Sequence, residues 1–513
     1  MNQSQSLAAR PNLALSALTH VEWLRWVAVS LLFLAVRTTN LLVMPIFNDE
    51  LVYILRSERF PAMLESSLRN GRLLHQLVAV FVFYLPGDDL LNLRLLSVAC
   101  GLITLFGLRA LGLALGRPVA GLLAGFFYAL APMVVLHDRI GITDSMLNAC
   151  VPLVLLASLA YVRQPAPTRR DAALIGGLVG LACLVKLSGI FLLAAPFIMV
   201  LCQGGPLRER LRRLAPLRTA VLVTLACVAA LAPFHYGGYE LNKVEFQTLS
   251  ERIGMLFSNL FNGGGWLLTY LPGPLLLPLL ALGLRWRSAG EAGREALMLS
   301  ALGILLMGVF LTIGSLIFPR YLMQAWPPLL LACAIAIVEL WRANGPARLA
   351  LRALCGASVA AALAWNLFFA HQLLFNSLHA PLVAADRSQY IEYWSAGYNL
   401  PAMMDSIRAE AAAEGAITLV NHRRGRLIHM ASDLYLGDDQ RITLREVELT
   451  EPPAAATIAE LAAAGPTYML LDGEEYDLLR VPQRFPLASV VTIYQHPVGG
   501  MRFYLLRVVL SGA

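Results

Sequence analysis

The sequence predicts an α-helical polytopic membrane protein of about eleven transmembrane helices, followed by a small extracytoplasmic α/β domain. Three observations predict it. Of the 513 residues, 58% are hydrophobic and 14% charged, with a mean hydropathy of +0.64; a soluble fold could not keep that much apolar surface from water. Apolar runs recur from about residue 24 to 370, and the short loops between them carry arginine. Beyond about residue 371 the pattern changes to short β-branched runs mixed with amphipathic helical stretches.

A span needs roughly 20 mostly apolar residues. The runs that qualify or come near are about 24–44, 91–115, 118–136, 145–162, 172–186, 188–203, 217–234, 265–284, 296–316, 321–341 and 349–370. The first is too long for a signal-peptide core and lacks a small-residue cleavage site, so it reads as an uncleaved span. All seven cysteines lie in apolar runs and show no paired spacing, which makes them small buried hydrophobes rather than a disulfide framework.

Arginine sets the orientation. Alternate loops carry Arg109 and Arg117; Arg163, Arg169 and Arg170; Arg208 to Arg218; Arg285, Arg287 and Arg294; and Arg342, Arg348 and Arg352. If those loops are cytoplasmic, so is the N-terminus with Arg10 and Arg25. Segments 45–90, 137–144, the turn near Lys186, 235–264 and 317–320 then face outward, as does the tail. The net charge of +7 is thus explained by topology and does not suggest nucleic acid.

Within 45–90, "ELVYILRSER" and "PAMLESSLRNGR" have apolar and charged faces divided by Pro61 and read as two interfacial helices. The run "LLHQLVAVFVFYLP" (73–86) is short, and a crossing there would put every later arginine loop outside. It reads as a re-entrant or membrane-surface helix. The domain division is therefore 1–370, a membrane domain, and 371–513, an α/β domain. In the latter "AITLV", "TYMLLDG", "VVTIYQH" and "MRFYLLRVV" read as strands, and "PAMMDSIRAEAAAEG" and "TIAELAAAG" as helices.

The outward segments collect Asp49, Glu50, His75, His137, Asp138, Arg139, Asp144, Lys186, His235, Arg320 and Tyr321. Ionisable groups near membrane depth are costly and often functional; singly, each also reads as an interfacial charge that snorkels or pairs. Asp144 equally reads as an N-cap of the helix that follows it. Arg139 runs against the positive-inside trend, and a phosphate is a natural partner for an outward guanidinium. Arg320 and Lys186 invite the same reading.

The blocks "FNDELVYI", "GRLLHQL…FVFYLPGDDLLNLRLLSV", "LAPMVVLHDRIGITDSML", "GLVGLACLVKLSGIFLL" and "FPRYLMQAWPPLLL", in this order, resemble the protein O-mannosyltransferase and aminoarabinose-transferase branch of the GT-C superfamily. "DRSQYIEYWSAGYNLP" (386–401) resembles the segment after the last helix of bacterial members, so the resemblance covers about 25–400. It implies an enzyme of the bacterial inner membrane that takes sugar from a polyprenyl-phosphate carrier at the outer face. By the same resemblance, Asp49 matches the acidic residue that serves as general base, and Asp144 matches the acidic residue of the second block. Arg139, Lys186, Arg320 and Tyr321 fall at positions available to the donor phosphate. His75 stands where relatives place a basic residue followed by proline, which "LLHQLV" lacks.

The residue types suit that chemistry. A sugar phosphate already carries a good leaving group, so a single inverting displacement needs a carboxylate for the acceptor proton and cations for the departing phosphate. Glu50 is the second carboxylate of the pair, expected to matter less as a helix N-terminal charge. There is no glycine-rich phosphate loop after a strand, and no cytoplasmic segment is long enough for a nucleotide-binding domain. No cofactor is called for; a divalent metal on Asp49, Glu50, His75 and His235 requires folding to bring them together. Expected partners are a polyprenyl-phosphate sugar, membrane lipids, and a lipid, glycan or protein acceptor. A lipid or sugar transporter is the first alternative, though no internal duplication is visible; a non-catalytic membrane scaffold is the second.

Overall fold

The computed structural model describes residues 20–58, 72–230, 248–271, 273–285, 290–313, 317–422, 427–450, 454–485 and 488–509. Most of "PAMLESSLRNGR" and His235 lie outside these residues. Among those described, five helices are long and apolar enough to cross a membrane: Asp89–Ala114, Thr143–Arg163, Gly290–Thr312, Pro319–Arg342 and Arg348–Phe375. A sixth arises if the pair Ser250–Tyr270 and Gly273–Leu284, bent by 91°, is one span.

This is fewer than the eleven runs, because several apolar runs are divided. The run 118–136 becomes Pro118–Leu130 and Pro132–His137. Ala131 lies between them with φ −61° and ψ 127°, as expected for a residue whose helical conformation clashes with a following proline ring. The runs 172–186 and 188–203 become Arg169–Val185 and, after Lys186 extended at the break, a 3₁₀ stretch Leu187–Leu193 followed by Ala194–Leu201. The Leu73–Val82 helix has 10 residues. At 1.5 Å per residue it spans about 15 Å, half the thickness of a bilayer core.

Helix starts follow local chemistry. The Asp88 side chain accepts from the Leu91 amide at the head of Asp89–Ala114, and Thr168 and Asp171 cap each other reciprocally at the head of Arg169–Val185. Asp89–Ala114 packs along Thr143–Arg163, and the contact is shaped by Pro152 inside the second helix. A Cβ at Gly107 would stand 2.4 Å from the Pro152 Cβ, so only glycine lets the two helices meet there.

These helices have chemically distinct ends. Thr143–Arg163 carries Asp144 at one end and Arg163 at the other, and Pro319–Arg342 carries Arg320 and Arg342 likewise. At the arginine end, Arg117 is held between Glu295 and Glu339, joining three helices. At the opposite end the buried polar residues collect.

The C-terminal region folds around a five-stranded sheet in the order β2-β1-β3-β5-β4. The strands are β1 (Ile417–His422), β2 (Ile442–Val447), β3 (Thr467–Asp472), β4 (Ala488–Gln495) and β5 (Arg502–Val508). Strands β2, β1 and β3 run parallel, whereas β5 is antiparallel to β3 and to β4. Side chains alternate across the sheet. Leu419, Tyr468, Leu470, Phe503 and Leu505 join the core that also holds Met403, Met404, Ile407, Leu427 and the membrane helices. Val420, Met469, Leu471, Leu506 and Val508 face the opposite way, onto Leu449, Ala454, Ile458 and Phe485. A sheet covered on both faces reads as continuous apolar runs, as "TYMLLD" does.

Between the last membrane helix and the sheet, residues 384–399 form a strap. It contains the short helix Ala384–Arg387 and one π-helical turn, Ser388–Glu392. The strap is tied to the segment before Asn48–Glu58 by a bridge between Phe47 and Ala396. The Asn48 amide donates to the Ser395 carbonyl (3.0 Å) and the Gly397 amide to the Ile46 carbonyl (2.9 Å). A Cβ at Gly397 would lie 2.7 Å from the Ile46 carbonyl oxygen and its side chain.

Gly397→Val is therefore expected to lower stability by about 1–3 kcal/mol through overpacking and to reduce activity by displacing the strap. The check is the unfolding midpoint in detergent; a midpoint equal to wild type would show that the strap tolerates a side chain there.

Candidate active site

The Asn48–Glu58 helix begins with two carboxylates that part company. Successive helical residues point about 100° apart, and here the difference is between edge and interior. Asp49 keeps 27% of its side chain exposed, whereas Glu50 is completely buried. Glu50 receives Arg94 Nε and Nη2, both at 2.8 Å, together with the Phe47 amide (2.9 Å) and the Gly141 amide (2.6 Å). The rest of the Arg94 guanidinium donates to the carbonyls of Leu41, Met44 and Pro45. Glu50, expected among the reacting residues, is thus withdrawn from the site: its oxygens are occupied in holding the 41–47 loop and the turn at Gly141.

Asp49 meets Arg320, the second residue of the Pro319–Arg342 helix. Arg320 Nη2 donates to Asp49 Oδ2 at 3.1 Å. Arg320 Nη1 donates to Gln389 Oε1 (2.7 Å) and to the Tyr390 hydroxyl (3.1 Å) from the strap. The guanidinium also lies against the rings of Phe47, Phe318 and Tyr321, 5.0–5.6 Å from their centroids. One guanidinium therefore joins the first helical hairpin, a membrane helix and the strap. A planar fork of five donors suits that task where an ammonium would not.

The second cation is adjacent. Lys186, at the break after Val185, places Nζ 4.1 Å from the centroid of the Tyr321 ring and 3.0 Å from Asp144 Oδ1. The extended Lys186 backbone gives the side chain this reach, and Asp144 sits in the first turn of Thr143–Arg163. Asp49, Arg320, Tyr321, Lys186 and Asp144 form one contiguous set.

His75 lies at the margin of that set, its ring centroid 4.8 Å from that of Tyr53, with neither ring nitrogen hydrogen-bonded. Burial, reinforced by the neighbouring Arg72, pushes its imidazole down to about 3. Tyr53 takes a hydrogen bond from Arg72 Nη1 at its hydroxyl.

Arg139 stands apart from this set. Its Nη1 donates to the carbonyls of Val36, Arg37 and Thr39 at 2.8–2.9 Å, and its Nη2 to Asn40 at 2.7 Å. These are the carbonyls left open where the first helix ends. Arg139 defies the positive-inside trend because a helix C-terminus holds it, and that corrects the phosphate reading. Among the described residues no three His, Cys, Asp or Glu side chains stand together as metal ligands; Glu50 is bound to Arg94 and His75 to the Tyr53 side, so the metal set read from sequence is not assembled there.

The family model for dolichyl-phosphate-mannose-protein mannosyltransferase matches residues 73–234, a stretch that includes Asp144 and Lys186. No sequence among curated proteins matches the chain. In fold the chain is similar to ArnT from Cupriavidus metallidurans in the apo state: TM-score 0.56 and 17% identity, over 94% of this chain and 98% of that one. The same protein bound to undecaprenyl phosphate aligns with TM-score 0.55 and 16% identity, over 95% and 98%. The arabinofuranosyltransferase AftD from mycobacteria aligns with TM-score 0.52 and 16% identity, over 96% of this chain and 40% of that one. The chain shares its fold with these two glycosyltransferases.

The protein also holds buried groups that the sequence reading passed over. Asp386 of the strap accepts from the Tyr270 hydroxyl at 2.6 Å and stands 3.7 Å from His137 Nε2, whose ring packs edge-on against Tyr390 at 5.9 Å. Arg37 is completely buried, donating to the carbonyls of Tyr128 and Ala129 and approaching Asp138 at 3.5 Å. The available signal was the charge itself: Arg37 and Arg94 both sit in apolar runs, where an unpaired arginine is expensive.

Removing one partner of a buried ion pair leaves the other uncompensated. Arg94→Met is therefore expected to cost about 3–5 kcal/mol of stability. Asp49→Asn should cost about 1 kcal/mol, since asparagine still accepts from Arg320. Detergent unfolding midpoints test the contrast, and an Arg94→Met protein as stable as wild type would refute the role assigned to the pair.

Proposed function

We propose that this protein is a glycosyltransferase that moves a sugar from a polyprenyl-phosphate carrier to an acceptor hydroxyl on the extracytoplasmic side of the membrane, with Asp49 as general base. The observation that carries the reading is Asp49 itself. It is the partly exposed carboxylate of the buried polar set, fixed by Arg320 and next to a second cation, Lys186. Glu50, Asp144 and Asp386 are buried and engaged elsewhere. A scaffold has no need of such convergence; an acid–base reaction beside a phosphate does.

The acceptor oxygen attacks the anomeric carbon as its proton passes to an Asp49 oxygen. The bond from the anomeric carbon to the phosphate oxygen breaks, and its electron pair leaves with the polyprenyl phosphate. Attack opposite the leaving group inverts the anomeric configuration. Lys186 and Arg320 offset the charge that accumulates on the phosphate, the contribution expected of preorganised cations in a site shielded from water. Undecaprenyl phosphate is the ligand bound in the ArnT structure, and a carrier of that class suits this cation pair.

The distribution of charge supports an outward-facing site. Arg117, Arg163 and Arg342 lie at the helix ends opposite Asp144, Lys186 and Arg320, and arginine-rich ends favour the cytoplasm. A cysteine at exposed Glu460, in a variant without the native cysteines, should react with an impermeant maleimide from outside the inner membrane. Labelling only after cytoplasmic access is opened would invert the topology.

Radiolabelled polyprenyl-phosphate sugars, offered as a panel with membrane extracts, test the activity and identify sugar and acceptor together. Asp49→Asn is expected to lower turnover by about 10²–10⁴-fold while undecaprenyl phosphate still binds, because both cations remain. Near-normal turnover would remove Asp49 as the base. Arg320→Ala should weaken undecaprenyl phosphate binding, by the roughly 1.5–3 kcal/mol of a charge-assisted contact; unchanged binding in a folded variant would count against a phosphate at Arg320.

A further inference from the structure

Gln389 is held on the same guanidinium as Asp49. Its amide oxygen accepts from Arg320 Nη1 at 2.7 Å while Asp49 accepts from Nη2. Arginine only donates, so the oxygen of Gln389 is pinned towards Arg320 and its amide nitrogen must point away. That nitrogen is buried and has no hydrogen-bond partner. A buried amide N–H left open costs about 1–3 kcal/mol. The π-helical turn Ser388–Glu392 adds to the observation: this rare wide turn lets two successive residues, Gln389 and Tyr390, reach one nitrogen of Arg320. Tyr390 alone would anchor the strap to Arg320. What Gln389 adds is a pair of oriented N–H donors on a side chain that shares one guanidinium with the partly exposed carboxylate.

We infer that Gln389 is a specificity-determining residue for the acceptor, its Nε2–H donating to an oxygen next to the hydroxyl that Asp49 deprotonates. The inference rests on the reading of Asp49 as base. It selects acceptors with a second oxygen beside the nucleophile, such as a vicinal hydroxyl, a carbonyl or a phosphoryl oxygen. Water, the competing nucleophile, has none. Gln389 thus favours transfer over hydrolysis, the usual leak in an enzyme handling an activated sugar.

Two substitutions separate this from a purely structural role. Gln389→Glu keeps an oxygen on Arg320 and loses the N–H donors; Gln389→Met loses both. The probe is the radiolabelled undecaprenyl-phosphate sugar that wild type turns over with a membrane-lipid extract, and the readout, after separation from unreacted donor, is the ratio of sugar transferred to the acceptor to free labelled sugar. Both variants should lower that ratio about five- to tenfold, the loss of one ordinary hydrogen bond, with a folded profile on size exclusion; Gln389→Met, which adds no charge, should retain the wild-type affinity for undecaprenyl phosphate. A normal ratio in Gln389→Glu with a loss in Gln389→Met would make Gln389 an anchor for Arg320 and overturn the inference. So would normal ratios in both, or weakened undecaprenyl phosphate binding in both, which would put the amide on the carrier. If wild type transfers no sugar from any donor in the panel, the enzymatic reading fails first. If wild type transfers and Asp49→Asn does so equally well, the base assignment fails while the Gln389 ratios still report on the amide.

Discussion

The buried ion pair between Glu50 and Arg94 determines the geometry on which the rest depends. An ionised carboxylate at zero exposure persists only if nearly every lone pair is occupied. Glu50 meets that demand with two arginine nitrogens and two backbone amides, while Arg94 closes the 41–47 loop through three carbonyls. Once Glu50 is fixed inward, the pitch of the helix leaves Asp49 partly exposed and facing Arg320. The orientation of one acidic residue of the pair is thus set by the other, through its contact with Arg94.

Charged groups in this protein follow a common rule. Each buried arginine is matched either to a carboxylate or to the open carbonyls of a helix end: Arg94 to Glu50 and the 41–47 loop, Arg139 to the end of the first helix, Arg37 to Asp138 and the Tyr128–Ala129 carbonyls. Arg320 departs from the pattern, because its partners are an exposed carboxylate, an amide and a phenol. Lys186 departs too, sharing its charge between Asp144 and an aromatic face. The two cations with the softest partners stand together, which is where a phosphate would gain most.

Much of this was legible in the sequence, and the failures have physical causes. Hydropathy located the membrane region and the turn at Lys186, but a window average cannot see Ala131 turn out of helix before Pro132. Arginine placement separated the two ends of the helices. Residue type alone marked Asp49, Asp144, Lys186 and Arg320, which the fold brings into one set. It could not distinguish Arg139, whose outward charge is satisfied by backbone, from Arg320, since helix termini 99–103 residues away in the chain leave no local trace. Gln389 and Asp386 were hidden for the same reason: their partners lie 69 and 116 residues away.

The strap carries one more consequence, for the order of events during synthesis. Asp49 and Arg320 are 271 residues apart, and Phe47 bridges Ala396 only after the last membrane helix has been made. Contacts of such separation form late, after the local helices that precede them. A nascent chain inserted into the membrane through residue 370 has its cations and its carboxylate but nothing to draw them into register. Nearly the whole polypeptide must leave the ribosome before Asp49, Arg320 and the strap can come together.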